Sequence, residues 1–166
     1  MNVLPLRLAI LHRSWFNYAV KCARNPDPGS DFERSTRFIR WLPDRLFLFV
    51  LLRILCYDGL IFATTEHFIG HVFFQRHWSE WNAFHIWVEE DQRGQKYAQK
   101  MLREFLDKAY EAGKGQVQIG NGGNDIVNHL WEKIISGDMR LAFDVSAGDH
   151  TGSVLFSRPR FFIRPT

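Results

Sequence analysis

Cysteine is scarce in this chain: Cys22 and Cys56 are the only two among 166 residues, they lie far apart, and no C-x-x-C spacing occurs. A disulfide framework and a cysteine-based zinc site are therefore excluded as organising devices, leaving two separate thiols. A large charge of one sign is also missing. The formal net charge is +3, from 21 Lys and Arg against 18 Asp and Glu; this does not define a polyanion binder, but it favours an anionic ligand over a cationic one. No apolar run approaches the ~20 residues that a membrane-crossing helix needs, and "LFLFVLL" (46–52) is bracketed by Arg45 and Arg53. Residues 1–11 lack the Lys/Arg-rich start, long apolar core and small-residue cleavage site of a secretory leader, so a cytoplasmic protein is expected. Internal repeats and low-complexity tracts are absent as well.

Apolar residues make up 46% of the sequence and aromatic residues 15%. A chain of this length and composition buries most of its surface in one core, so residues 1–166 are expected to form a single domain. Leu6, Ile10, Leu11, Trp15, Tyr18, Ala19 and Cys22 recur at three and four, predicting a helix over 6–24 that "NPDPGS" (25–30) ends. Ser30 and Glu33 form an S-x-x-E capping box, predicting a second helix from Asp31 to Leu42, just before Pro43. Its Arg34, Arg37 and Arg40 share one face, which is either solvated or a contact for phosphate. Leu46 to Ile54 suits helix or strand equally.

"LIFATTEHFIGHVFF" (60–74) predicts an antiparallel hairpin turning at Thr65 to His67, with Gly70 marking a bulge or a close backbone approach. From Trp81 to Glu89, Phe84, Ile86 and Val88 alternate with His85, Trp87 and Glu89, the period of a strand. Ala98, Met101, Leu102, Phe105, Leu106 and Ala109 then define an amphipathic helix stopped by Gly113. "GQVQIG" (115–120) is a short strand, and 122–125 opens a helix carrying Val127, Leu130, Trp131 and Ile134. Met139–Val145 and Ser153–Ile163 read as strands joined by a turn. A strand, a helix and a strand make a crossover unit, so the strands ending at Glu89 and Gly120 should be parallel neighbours. The fold class expected is α/β (α+β): a mixed, mostly antiparallel central sheet with helices on both faces.

The turn behind Glu89 carries the chemistry. The first amides of a helix have no internal acceptor and sit at the positive end of the helix dipole, so they suit a phosphate. Arg93 adds a cation there, and Gly94 lets a ligand approach the backbone. Other groupings carry less. His67, His71 and His77 lack a clear fourth metal ligand, so no metal is expected. "GNGGND" (120–125) has Asp125 where a dinucleotide fingerprint needs its last glycine. Trp78, Trp81 and Trp87, with Phe73, Phe74 and Phe84, are mostly core, although such a wall also suits an apolar amine or a longer acyl chain.

"VEEDQRGQKYAQKML" (88–102) resembles the acyl-CoA motif of the GNAT N-acetyltransferase superfamily, Q/R-x-x-G-x-G/A. Arg93 takes its first position and Ala98 its last, while Lys96 stands in place of the central glycine. "NDIVNHLWEK" (124–133) is similar to the family's later helix, N-x-x-A-x-x-L-Y-E-K. Asn124 falls at the position that commonly touches the pantetheine arm, and Trp131 replaces the tyrosine that often protonates the departing thiolate. An indole N–H is a donor but no useful acid. The resemblance covers residues 59 to 145.

It implies a GNAT-like fold and acetyl transfer from acetyl-CoA to a primary amine by direct attack, with no metal. Implied contacts to acetyl-CoA are the backbone of Trp87, Val88 and Glu89, the turn Arg93, Gly94, Gln95, Lys96, Tyr97 and Ala98, and Asn124 and Trp131. Glu80 is the first candidate for the base and His85 the second, with Asn82 nearby. The acceptor amine is not identified, and the chain would be a monomer or homodimer. Two alternatives stay open: a CoA-binding module without turnover, motivated by Lys96 and Trp131, and a basic nucleic-acid binder using Arg34, Arg37 and Arg40.

Overall fold

The computed structural model describes residues 1–9, 11–26, 31–76, 80–114, 116–120, 130, 133–134, 136, 141–145 and 151–156. Seven strands among them form one sheet: β1 (Asn2–Pro5), β2 (Tyr57–Ala63), β3 (Phe68–Arg76), β4 (Glu80–Val88), β5 (Gln116–Gly120), β6 (Leu141–Val145) and β7 (Thr151–Phe156). Their order across the sheet is β1-β2-β3-β4-β5-β7-β6. Only β4 and β5 run parallel, and every other neighbouring pair is antiparallel. Helices among the described residues include α1 (Leu6–Ala9), α2 (Arg13–Arg24), α3 (Asp31–Thr36), α4 (Asp44–Arg53) and α5 (Tyr97–Glu111), and Leu130, Lys133 and Ile134 are helical as well.

The two faces of the sheet are covered differently. On one, α5 buries Met101, Leu102, Phe105, Leu106 and Ala109 against Leu60, Phe62, Val72, Phe74 and Val117. Helical spacing makes that stripe, and Gly113, at φ 71°, ends it in the left-handed conformation a glycine adopts freely. On the other face, Ala19, Cys22 and Ala23 of α2, Phe32 of α3, and Phe47, Leu48, Leu51 and Leu52 of α4 pack over Ile61 and Phe73. The apolar run 46–54 is thus a helix, entered at Pro43 and tied by the Arg24–Asp44 ion pair at 2.7 Å.

Several expectations need correction. Asn2–Pro5 is a strand that pairs with β2 at the sheet edge. The expected first helix is two helices, because Leu11 and His12 donate to Leu8 and Ala9 in tight three-residue turns and His12 is extended. The second helix stops at Thr36 and leaves only a 3₁₀ turn at Arg37–Ile39. Ser35 and Thr36 both turn their hydroxyls back onto the Phe32 carbonyl, which competes with continued helix. The helix behind β4 begins at Tyr97 rather than at Arg93 and Gly94, with a 3₁₀ turn at Glu90–Gln92 before it. The start of the later helix and the chain beyond Phe156 lie outside the described residues.

Two irregularities shape the centre of the sheet. Phe62 faces Gly70 and Ala63 faces Phe68, so Ile69 is an extra residue beside the glycine. A Cβ on Gly70 would strike the Trp87 carbonyl, the close approach that its sequence position suggests. Likewise Phe73 faces His85 and Phe74 faces Ala83, which makes Phe84 a bulge in β4.

Candidate active site

The Phe84 bulge divides β4. Glu80 to Ala83 pair with Gln116 to Ile119 of β5, and among the described residues no residue of β4 beyond Ala83 has a β5 partner, so the described ladder between the two parallel strands ends there. Pairing with β3 continues to the end of β4, and the Glu89 amide donates to Ile69 at 2.9 Å. Alternation from that bond directs the backbone of Trp87 and Glu89 toward β3 and that of Ile86 and Val88 toward the open side. Of the stretch Trp87 to Glu89, Val88 is therefore the residue whose main chain faces the gap.

A cavity of about 440 Å³ adjoins the gap, lined by Val88, Gln92, Arg93, Gly94, Lys96, Tyr97 and Ala98. The first bond inside α5 runs from the Lys100 amide to the Lys96 carbonyl at 3.2 Å. Amides from Gln95 to Ala98 thus precede any helical acceptor, and among the described residues none meets a backbone carbonyl. Two left-handed residues fold the turn: Gly94 at φ 78° and Lys96 at φ 60°. Lysine thus occupies the conformation that a glycine adopts without cost. Arg93 lays its guanidinium 4.7 Å from the Trp87 ring centroid and donates from Nε to the Val88 carbonyl at 3.1 Å. Gln95 is exposed and lines no part of the cavity.

Behind the gap, on the face toward α2 and α3, lies a buried polar cluster. His85, just past the bulge, contacts His71 of β3: His71 Nε2 and His85 Nδ1 are 3.0 Å apart, with the residues 2% and 7% exposed. Burial, and then the neighbouring His85, hold His71 well below the usual imidazole range. Tyr18 donates to the Glu89 carboxylate at 2.7 Å and stacks on Phe68 at 4.1 Å. Burial, then the Cys22 thiol and Glu89, raise the phenol above its usual range, and burial pushes the Cys22 thiol up to about 12. Both stay protonated at neutral pH. Asn82 lies opposite Gln75 on this same face, its Oδ1 buried without a hydrogen-bond partner among the described residues.

The sequence-derived candidates fall into three places. Glu80 is the first residue of β4, in the doubly paired half opposite Gln116. Val88, Arg93, Gly94, Lys96, Tyr97 and Ala98 line the cavity, whereas His85 and Trp87 lie on the second half of β4, with Glu89 just after it, and do not line it. Asn124 and Trp131 lie outside the described residues, as does His77 of the imagined metal set. Arg40 is paired with Glu33 at 3.9 Å. Sequence reasoning missed Tyr18, Cys22 and His71 as neighbours of the site; Tyr18 and Glu89 are 71 residues apart, and no local spacing signals such a pair. Two larger cavities, of about 770 and 510 Å³, share Arg7 and Arg76 at the other end of the sheet. Neither contains a helix start beside a strand gap. No helix among the described residues is long and apolar enough to cross a membrane.

A split pair of parallel strands with a helix opening beside it is the arrangement of an acyl-CoA transferase fold. The model of the Acetyltransferase (GNAT) family matches residues 13–135, and the chain belongs to that family, whose general reaction is acetyl transfer to amines. No curated protein sequence matches it. Among solved structures, Tetrahymena GCN5 is similar at a TM-score of 0.59 and 11% identity, covering 95% of this chain and 97% of that one. The ribosomal-protein-S18-alanine N-acetyltransferase of Escherichia coli gives 0.57 and 10%, covering 98% of each chain. The PaiA N-acetyltransferase of Thermoplasma acidophilum, solved with coenzyme A, gives 0.55 and 10%, covering 94% and 100%. At these identities the likeness shows the fold.

Proposed function

We propose that this chain transfers an acetyl group from acetyl-CoA to a primary amine by direct attack. The observation that carries the proposal is the run of amides from Gln95 to Ala98, without backbone acceptors, beside the unpaired edge of β4. These amides and the α5 dipole suit a diphosphate. Arg93 and Lys96, both at the cavity, add the charge that holds it. Ile86 and Val88 offer backbone groups along the gap to an extended amide-bearing arm. The diphosphate and arm fit the donors present.

Acetyl-CoA supplies an activated thioester. The amine nitrogen forms a bond to its carbonyl carbon, the carbon–sulfur bond breaks, and the electron pair leaves on sulfur. The protein's part is orientation and removal of the amine's proton. His85, at the point where the strands part, is the base best supported by geometry; Glu80 sits back in the paired half of the strand. The thiolate takes its proton from water or from a side chain other than Trp131.

A second reading, a CoA-binding module without turnover, draws on Lys96 and Trp131. Lys96 adopts the left-handed backbone conformation that a glycine takes freely, which supports binding in both readings and leaves turnover to decide between them. Calorimetry with acetyl-CoA, followed by a thiol-release assay across a panel of primary amines, separates the readings. Binding together with amine-dependent release is expected. Binding with no release from any amine supports the module, and no binding removes both.

A further inference from the structure

We propose that the cavity of about 510 Å³ at the far end of the sheet binds an amphipathic anion, a carboxylate or phosphate carrying one apolar chain, at a site separate from the cavity at Val88. Along β3 the two places are well apart. Gly70 lies opposite Val88, whereas Arg76 lines the proposed site, and the step from one to the other spans about 20 Å of strand. The site is built chiefly on α4. Its Arg45, Phe49 and Arg53 are spaced by four, so they form one outward stripe, with the buried Leu48 and Leu52 beside it. On an exposed helix a spacing of four often pairs opposite charges; here it repeats the same one.

The acid of α4, Asp44, is taken up by Arg24 at 2.7 Å. Arg7 and Arg76 bring two more guanidinium groups to the same cavity, and no Asp or Glu among the described residues lines it. Asp58, in the adjoining larger cavity, offsets Arg76 at 3.6 Å and acts more weakly on Arg7. Arg45 and Arg53 have no carboxylate partner among the described residues. Four like charges around one cavity repel each other, and an anion seated among them removes that cost. The guanidinium fork fits carboxylate and phosphate oxygens alike. The rest of the lining is apolar: Phe49 and Leu11 stay 55% and 74% exposed, beside Phe16, Leu48 and Leu52. A chain lying on them takes that surface out of water. An inorganic anion would use only the arginines and a neutral apolar molecule only the leucines and phenylalanines, whereas an anion with one chain uses both. A primary amine, the substrate class proposed for the other end of the sheet, is repelled here.

Calorimetry and amide ¹H–¹⁵N shifts test the assignment with decanoate and decyl phosphate as probes, and with acetate and decylammonium as comparisons. One or both of the first two should bind, and the tighter identifies the head group. Acetate, which lacks the chain, and decylammonium, which reverses the charge, should each bind at least about tenfold more weakly. The shifts should fall on residues 45–53 and on Arg7, Leu11 and Arg76, and should persist when coenzyme A is present in excess. Arg45→Gln combined with Arg53→Gln keeps good helix formers at exposed positions, so the fold is retained. That variant should lose decanoate or decyl phosphate affinity by about tenfold or more, as expected for lost charge-assisted hydrogen bonds. Failure of both anions to bind, equal affinity for decylammonium, shifts confined to other residues, displacement by coenzyme A, or undiminished affinity in the double variant overturns the proposal. So does cosedimentation with phosphatidylserine vesicles without binding of either soluble anion, which would make this face a membrane contact.

Discussion

The two halves of β4 belong to one strand yet differ in kind. From Glu80 to Ala83 the strand is paired on both sides, and its residues hold a sheet together. From His85 to Val88 it is paired, among the described residues, to β3 alone, and the backbone of Ile86 and Val88 faces away from that partner. One extra residue, Phe84, separates them. A bulge rotates the strand, and the described β5 ladder ends just before it. The second half is also where polar groups gather: His85 reaches His71 on one face, and Arg93 reaches the Val88 carbonyl at the edge.

Deleting Phe84 should have the largest effect. A one-residue slip moves His85 and Trp87 to the α5 side and Ile86 and Val88 to the opposite one. Stability in urea should fall by on the order of 5 kcal/mol, the upper end for a single change; a loss below about 1 kcal/mol would mean the bulge is incidental. Next comes a paired test of the edge. Val88→Pro removes an amide that faces the gap and should weaken acetyl-CoA binding about tenfold by calorimetry, the equivalent of one hydrogen bond. Trp87→Pro removes an amide directed at β3 and should instead cost about 1–3 kcal/mol of stability. Equal behaviour of the two would contradict the assigned strand faces.

Smaller still is the acid response. His71 has its proton affinity lowered on folding, so below about pH 6.5 the unfolded chain binds the extra proton and the folded one does not. Stability should therefore fall with acid at up to about 1.4 kcal/mol per pH unit, and His71→Phe should flatten the slope of denaturation midpoints between pH 6.5 and 5. Lys96→Gly should show the least change. Relief of the left-handed strain, partly offset by the greater freedom of unfolded glycine, should raise stability by roughly 0.5 kcal/mol. A loss at this position would mean that the lysine side chain contributes packing.

Much of the fold was legible because its main elements are strongly periodic. The apolar stripe of α5, the hairpin of β2 and β3, and the parallel partnership of β4 with β5 all follow from spacing and crossover geometry. β1 was not legible, because four residues at a sheet edge carry too little pattern. Strand parity misled at the bulge: unbroken alternation groups Asn82 with Phe84 and Ile86, whereas the extra residue puts it on the face of His85. The helix behind β4 was readable from its apolar period, although it begins at Tyr97 rather than at Arg93 and Gly94. The long-range contacts at the end of β4 were not readable, since His71 meets His85 and Tyr18 meets Glu89 only through tertiary packing.

Amide ¹H–¹⁵N shifts recorded while coenzyme A is titrated in bear on the diphosphate cup without waiting for an acceptor to be found. The largest changes should fall on Gly94 to Ala98 and on Val88, and should shrink when dephosphorylated pantetheine replaces coenzyme A. Saturable binding that leaves the amides of 94–98 unmoved would place the ligand elsewhere and contradict the reading of this turn.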